Sequence, residues 1–129
     1  MNVFFLSDMK SDTRKRLQRT LEYMLPRKNI KYLRSVQDLE AQLRKSSTKT
    51  PLTVILYVSR PKLSHLSSIK DLLEDARLIL ILQNKNAETI ALGHALRPRF
   101  VTFDDGDFLD IASVLMKMKD QMAAKEVSP

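Results

Sequence analysis

The stretch that decides the fold is Thr53-Val-Ile-Leu-Tyr-Val-Ser59, a β-branched run that is apolar except at its ends. Turn-forming pairs stand on both sides of it, Thr50-Pro51 before and Arg60-Pro61 after. A short apolar run of this kind is typical of a strand covered on both faces, in the middle of a parallel sheet. The sequence therefore places this strand at the centre of the molecule.

Two further apolar runs have the same character, at residues 3–6 and 78–82. A more polar strand is predicted at residues 29–33, near a sheet edge, and a fifth strand at residues 99–103. The segments between the strands carry apolar residues at helical spacing. Alternation of strand and helix predicts an α/β fold with right-handed crossovers. Five such units pack compactly as a three-layer, flavodoxin-like sandwich around a five-stranded parallel sheet of order 2-1-3-4-5.

Each predicted helix is defined by an apolar stripe, and several have a capping residue. Ser11 or Asp12 is expected to cap the first helix, because a short side chain with an oxygen accepts from the free N–H groups of a first turn. Asn86 and Asp107 are expected to do the same for the fourth and last helices, and residues 61–64 to form a loop before the third. The expected inward residues are Leu17, Leu21, Met24 and Leu25 in the first helix; Val36, Leu39 and Leu43 in the second; Leu66, Ile69, Leu72 and Leu73 in the third; Ile90, Ala91, Ala95 and Leu96 in the fourth; and Phe108, Ile111, Ala112, Leu115, Met118 and Met122 in the last.

Length and composition indicate one globular domain. The chain has 129 residues, 43% of them hydrophobic and 29% charged, which is enough to bury a core. Residues 1–122 are expected to form the domain, with a polar connection at residues 45–50 and a tail or the start of a linker at residues 123–129.

The compartment is inferred from what the sequence lacks. There is no cysteine, which excludes disulfides, thiolate metal sites and thiol nucleophiles and agrees with a reducing environment. No apolar run approaches the roughly 18 residues that span a membrane. The first residues lack a signal-peptide pattern. A cytoplasmic location without membrane contact is therefore expected.

The net charge of +7 comes from 22 basic and 15 acidic residues, and the excess is concentrated early in the chain. A solvated surface is the preferred interpretation, and a nucleic-acid-binding patch is the alternative. Against the alternative, the sequence contains no helix-turn-helix, zinc-finger or RNA-recognition pattern. The residues that would form such a basic patch are Arg14, Lys15, Arg19, Arg27 and Lys28.

A functional site is expected where the first and third strands end side by side, because ligands of open parallel sheets bind at the carboxyl ends of the strands. The residues at that position are Ser7, Asp8, Tyr57, Val58 and Ser59. The ends of the fourth and fifth strands are expected nearby.

The lengths and order of these units resemble the receiver domain of two-component response regulators, the CheY-like family. The resemblance covers nearly the whole chain. The stretch Ala91-Leu-Gly-His-Ala-Leu-Arg-Pro-Arg-Phe-Val-Thr-Phe103 resembles the receiver's passage from helix 4 to strand 5. Pro61, four residues after Tyr57, matches the receiver's spacing from phospho-acceptor to proline.

Receiver chemistry uses an acidic pair that holds Mg²⁺, an aspartate that accepts the phosphoryl group, a Ser or Thr, and a Lys that neutralises the phosphoryl oxygens. The resemblance places these roles on Ser7 and Asp8, Tyr57, Gln83 and Phe103, so that four of the five parts have changed. The chain therefore resembles a pseudo-receiver that cannot be phosphorylated. No enzymatic activity, metal or cofactor is expected.

The residues of this degenerate site have structural interpretations. Tyr57 is predicted to fill the space of the former phosphate pocket, and Asp8 to be a loop residue. Three acids, Asp104, Asp105 and Asp107, surround Gly106. Such a cluster favours a turn and a helix cap over a cation site.

The resemblance implies a regulatory protein-interaction domain of a two-component or transcription-regulating system. Receivers commonly act through helix 4, strand 5 and helix 5, which here would present Arg97, Arg99, Thr102 and Lys117. Either a homodimer or docking to a neighbouring domain is implied at that surface. Two alternatives stay open, a basic nucleic-acid-binding module and a small-ligand or flavin-binding protein of flavodoxin-like fold, since fold does not fix function.

Overall fold

The computed structural model describes residues 1–9, 11–45 and 52–127, with side chains described up to residue 121. The predicted polar connection at residues 45–50 lies outside this part of the chain except for Lys45, which ends a helix. The predicted inward position of the Met122 side chain also lies outside it.

Five parallel strands form one sheet of order β2-β1-β3-β4-β5, and every ladder between neighbours is parallel. The predicted flavodoxin-like α/β fold and its strand order are confirmed. All five residues of β3 are buried, as expected for a central strand. The strands are β1 (Val3–Ser7), β2 (Ile30–Leu33), β3 (Thr53–Tyr57), β4 (Arg77–Leu82) and β5 (Phe100–Phe103).

Helices cover both faces of the sheet. The helices are α1 (Asp12–Met24), α2 (Val36–Lys45), α3 (Arg60–Leu66), α4 (Lys70–Leu73), α5 (Ala87–His94) and α6 (Leu109–Val127), with 3₁₀ turns at Arg27–Asn29 and Ser67–Ile69. One core cluster joins α1 and α6 to the face of the sheet that carries Phe5 and Tyr57. The other joins α2, α3, α4 and the end of α5 to the face that carries Leu6 and Leu80. This arrangement gives the three layers.

The predicted helix caps are only partly confirmed. Ser11 caps α1, because its Oγ accepts from the N–H of Arg14 at 3.2 Å. Asn86 stands at the N-cap of α5, but its side chain makes no capping hydrogen bond. Asp107 Oδ1 accepts from the N–H of Leu109, the first residue of α6, at 3.1 Å.

The predicted loop at residues 61–64 is wrong, because α3 already begins at Arg60. Pro61 stands in its first turn, where the missing N–H of proline has no helical partner to lose. A 3₁₀ turn then separates α3 from α4. The predicted apolar stripe is present across the break, since Leu66, Ile69 and Leu73 are buried.

The predicted inner face of α5 is also partly wrong. Ala91 and Ala95 are exposed, whereas Thr89 and Gly93 are buried. A Cβ atom on Gly93 would lie 3.2 Å from Leu80 Cδ1, so the helix packs closely on β4 and any larger residue there would require Leu80 to shift slightly. This close approach turns both alanines to solvent.

The last helix has its predicted inner face, because Phe108, Ile111, Leu115 and Met118 are buried. It continues to Val127, so residues 123–127 are helical, and the proposed boundary at residue 122 stays a prediction. Among the described residues, no helix is both long and apolar enough to cross a membrane.

Candidate functional site at the carboxyl ends of the strands

The sheet brings the predicted site residues to one edge. Ser7 is in register with Tyr57 across the β1–β3 ladder, and Phe103 is in register with Leu82 across the β4–β5 ladder. Gln83 follows Leu82 directly. Three of the five sequence-predicted positions therefore end their strands at the same side of the molecule, and the other two, Asp8 and Gln83, directly follow β1 and β4.

Tyr57 occupies the exit of β3. It is 1% exposed, and its hydroxyl donates to Asp104 Oδ2 at 3.0 Å. Burial raises the pKa of the Tyr57 phenol, and the bond to the Asp104 carboxylate raises it as well, while Ser11 and Thr13 act in the opposite direction. The side chain is therefore a neutral donor at pH 7 rather than a nucleophile.

Both carboxylate oxygens of Asp8 are bound by one residue. Ser59 donates its N–H to Oδ1 at 3.0 Å and its hydroxyl to Oδ2 at 2.7 Å. Ser59 is the residue immediately before α3. Asp8 thus joins the loop after β1 to the start of α3, which is the structural role of a loop residue.

Ser7 and Gln83 are also hydrogen-bonded within the chain. Ser7 Oγ accepts from the N–H of Met9 at 3.2 Å. The side-chain amide of Gln83 donates to the sulfur of Met9, so that the loops after β1 and β4 are in contact. The amide of Gln83, one of the predicted site residues, is therefore already bonded within the chain.

Phe103 ends β5, and a lysine from another loop lies over its ring. Lys85 Nζ is 5.1 Å from the centre of the Phe103 ring and 3.5 Å from Asp105 Oδ2. Strand-end reasoning missed Lys85, because it lies in the loop after β4 and no sequence signal connects it to β5.

The acids of the β5–α6 loop diverge to separate partners. Asp104 accepts from Tyr57, Asp105 pairs with Lys85, and Asp107 accepts from the backbone of Leu109. Within the described parts of the chain, no group of three acids, histidines or cysteines could hold a metal. The loop has the geometry of a turn and a helix start.

A further contact on this loop was missed by sequence reasoning. Arg16 donates to the carbonyl oxygen of Gly106 at 2.6 Å, and its guanidinium lies 4.9 Å from the centre of the Phe108 ring. Phe108 has a positive φ of 64°, an uncommon backbone conformation for a residue with a side chain. Arg16 thus secures the turn that leads into α6.

The predicted partner surface is formed by α5, β5 and α6. Arg97 and Arg99 are exposed in the connection to β5, and Lys117 is exposed on α6. Thr102 donates to Asp110 Oδ2 at 2.6 Å. Lys117 follows Asp110 by seven residues, which is about two helical turns, so it lies on the same side of α6, toward β5.

Two apolar residues on α6 belong to the solvent-facing side and were missed by sequence reasoning. Leu109 is 68% exposed and Met116 is 54% exposed. They are seven residues apart and therefore share one face of the helix. Their exposure could have been found from the sequence, because they fall outside the apolar stripe of this helix.

The residues of the predicted basic patch differ in exposure and in ion pairing. Lys15, Arg19 and Lys28 are exposed, whereas Arg27 Nε lies 3.2 Å from Glu22 Oε1. Arg14 is half-buried, and its Nε is inaccessible and has no hydrogen-bond partner in the described structure. The five residues thus have three different environments.

No protein-family model matches this chain, and neither a curated protein nor a solved structure matches it. The fold class that the structure defines is the flavodoxin-like α/β sandwich. Functional inference therefore rests on the geometry of the strand ends and of the surfaces beside them.

Proposed function

We propose that this protein is a receiver-like regulatory domain that is not phosphorylated and acts by binding another protein. The observation that supports the proposal is the occupant of the β3 exit. Where the receiver family has a phosphate-accepting aspartate, this chain has the buried ring of Tyr57, whose hydroxyl is bonded to Asp104.

The chemistry of phosphorylation supports the same view. An acyl phosphate forms on a carboxylate nucleophile, and Mg²⁺ requires several oxygen ligands around that carboxylate. The carboxylate nearest to the β1–β3 junction in sequence is Asp8, and both of its oxygens accept from Ser59. A signal must then arise from binding, and a partner shifts conformations only through different affinities for them.

The surface of α5, β5 and α6 is the proposed contact region. It combines the exposed apolar side chains Leu109 and Met116 with the cations Arg97, Arg99 and Lys117. Apolar residues with a charged surround are typical of protein interfaces. The simplest occupant is a second copy of the chain, since a two-fold dimer uses the same surface twice.

Nucleic-acid binding, the alternative suggested by the net charge of +7, has less support. Arg27 is paired with Glu22, and the Nε of Arg14 is buried. Among the described residues, Lys15, Arg19 and Lys28 are thus the members of the basic patch that are exposed and outside any ion pair.

Phosphorylation is tested by adding beryllofluoride with Mg²⁺ to the ¹⁵N-labelled protein and following amide shifts. No saturable change is expected around Asp8 and Tyr57. The Tyr57→Asp variant, which restores a carboxylate at the exit of β3, is the matched comparison if it folds. A saturable response of the unchanged chain would refute the proposal.

The contact surface is tested by sedimentation over a wide concentration range. Self-association is expected to weaken in Met116→Lys and to persist in Tyr23→Lys, because Tyr23 is a large, 90% exposed residue on α1, outside the proposed surface. Equal weakening by both changes would place the interface elsewhere. A monomer at every concentration would exclude the dimer and leave a different protein as the occupant.

A further inference from the structure

A cavity of about 220 Å³ lies beside the edge strand β2, at the same end of the sheet as the Tyr57 site. Its walls come from three elements and from the residue after β2. The principal lining residues are Phe5 and Ser7 of β1, Arg14 and Gln18 of α1, Tyr32 of β2, and Arg34.

Two guanidinium groups line this cavity, those of Arg14 and Arg34. Neither Arg14 nor Arg34 belongs to an ion pair within the described residues. The Nε of Arg14 is shielded from solvent and has no hydrogen-bond partner there. Buried donors are almost always bonded in native proteins, so this N–H is available to an acceptor other than the described residues.

Glu22 contacts two of the lining residues, but its carboxylate is occupied by other groups. Glu22 Oε1 accepts from Tyr32 at 3.0 Å and from Gln18 at 3.3 Å, and it pairs with Arg27 at 3.2 Å. The bond from Tyr32 is the main cause that lowers the pKa of Glu22, so this side chain is ionised at pH 7. Glu22 therefore orients two lining residues, and in the described structure it forms no ion pair with either cavity arginine.

A second acid lies beside the cavity without neutralising it. Asp12 lines the adjoining groove together with Arg14 and Lys15. No ion pair joins Asp12 to either cation in the described structure. The positive potential around Arg14 is thus reinforced by Lys15 and only partly offset by Asp12.

Two of the residues that line the cavity are aromatic. The rings of Phe5 and Tyr32 have centroids 5.9 Å apart at an interplanar angle of 45°. A cavity of this size lies below the roughly 300–1,000 Å³ that holds drug-sized ligands. Its ligand is therefore small, with an anionic end for the guanidinium groups and an apolar body for the rings.

We propose that this cavity binds a small organic phosphate, with the phosphate between Arg14 and Arg34 and the organic part against Phe5 and Tyr32. Guanidinium groups suit phosphate oxygens, because their planar N–H donors bind two oxygens at once. The inference is independent of the proposed function, since the cavity uses neither the Tyr57–Asp104 bond nor the surface of α5, β5 and α6.

The test is an NMR titration of the full ¹⁵N-labelled chain with phenyl phosphate in 150 mM salt. Saturable shifts are expected at the Arg14 Nε–H and at the amides of Ser7, Leu33 and Arg34. Inorganic phosphate and benzoate are each expected to bind at least about tenfold more weakly, because the first lacks the ring and the second has a single charge.

Variants separate a built site from general attraction to a basic surface. Arg14→Gln and Arg34→Gln are each expected to weaken phenyl phosphate binding about tenfold or more. Arg19→Gln is the matched control, since Arg19 is exposed on the same helix, and it is expected to change the affinity less than about twofold. Arg34 is also exposed, so its variant tests the site even if Arg14→Gln does not fold.

Three results would overturn the proposal. The first is a titration that does not saturate at 10 mM phenyl phosphate. The second is equal weakening by Arg19→Gln and by the two cavity variants, which would indicate diffuse electrostatic attraction. The third is binding of benzoate as tight as that of phenyl phosphate, which would replace the phosphate by a carboxylate.

Discussion

The exit of β3 and the cavity beside β2 lie at the same end of the sheet but satisfy their polar groups differently. At the exit, Tyr57 donates to Asp104, and Asp8 accepts twice from Ser59. In the cavity, Arg14 and Arg34 have no ion pair among the described residues. The first region is completed by the chain itself, whereas the second is completed only by a ligand.

This difference separates stability from binding. Residues that satisfy each other inside a fold contribute to its free energy of unfolding, whereas residues held ready for a ligand often do not. Substitutions at the exit of β3 should therefore destabilise the protein, and substitutions in the cavity should impair binding at little cost in stability.

The largest effect is expected from Tyr57→Ala. Removing a fully buried aromatic ring leaves a cavity, and the free energy of unfolding should fall by about 3–5 kcal/mol. Urea unfolding followed by circular dichroism measures this change. Tyr23→Ala, at a side chain that is 90% exposed, should change stability by less than about 0.5 kcal/mol. A loss below about 1 kcal/mol for Tyr57→Ala would show that the ring is not part of the core.

A smaller effect is expected from Asp8→Ala, which removes both bonds to Ser59. The loss should be about 1–2 kcal/mol, because Asp8 satisfies the N–H of the residue before α3 from an exposed position. Urea midpoints of Asp8→Ala, Ser59→Ala and the double variant give the coupling energy. Asp120→Ala, at an exposed position on α6, is the control. Additive effects of the two single changes would contradict the bonding.

The stability of the protein at alkaline pH should depend on two tyrosines, Tyr57 and Tyr32. Burial is the main cause that raises the pKa of both Tyr57 and Tyr32. Because an unfolded tyrosine loses its proton near pH 10 and the folded one only at higher pH, the unfolded state binds fewer protons above about pH 10. Stability should therefore fall as the pH rises above about 10.

Phenylalanine variants check this pH dependence. Tyr57→Phe should cost about 1 kcal/mol at pH 7, through the lost bond to Asp104, and should reduce the fall in stability above about pH 10. Tyr32→Phe should also reduce the fall, because its hydroxyl is bonded to Glu22. Urea midpoints at pH 7 and at about pH 11 measure both effects. Equal pH dependence in the variants and the unchanged chain would refute the assignment.

The sequence predicts the sheet well, because strand character is a local property. The run at residues 53–59, its two apolar counterparts and the runs at residues 29–33 and 99–103 predicted five strands, and the helical segments between them predicted the order. The errors lie where tertiary contact decides. Gly93 allows α5 to approach Leu80 closely, which turns Ala91 outward, and Pro61 begins a helix instead of preventing one.

For the candidate site, the sequence predicts which residues lie at the strand ends but not which residues they contact. Strand ends located Tyr57 and Phe103, but the partners of these residues lie far away in sequence. Asp104 is 47 residues from Tyr57, and Lys85 comes from a different loop. The cavity could not be predicted, because a run of basic residues does not indicate that Arg14 is turned inward while Arg19 stays in solvent.

The smallest change in stability, and the sharpest test of the comparison, is expected from Arg14→Met. An unpaired cation that is half-buried contributes little to the folded state, and methionine keeps much of its apolar length without the cost of removing a charge from water. The free energy of unfolding without ligand should change by less than about 0.5 kcal/mol. Phenyl phosphate at ten times its Kd should stabilise the unchanged chain by about 1.4 kcal/mol and the variant far less.

Thermal or urea unfolding with and without phenyl phosphate measures both quantities, and Arg19→Met is the matched control. The control should keep the full stabilisation by the ligand, because Arg19 is outside the cavity lining. A loss of more than about 1 kcal/mol in the ligand-free Arg14→Met variant would mean that the guanidinium is bonded within the fold after all. The polar groups of the cavity beside β2 would then be bonded within the chain, as those at the exit of β3 are, and the contrast between the two regions would disappear.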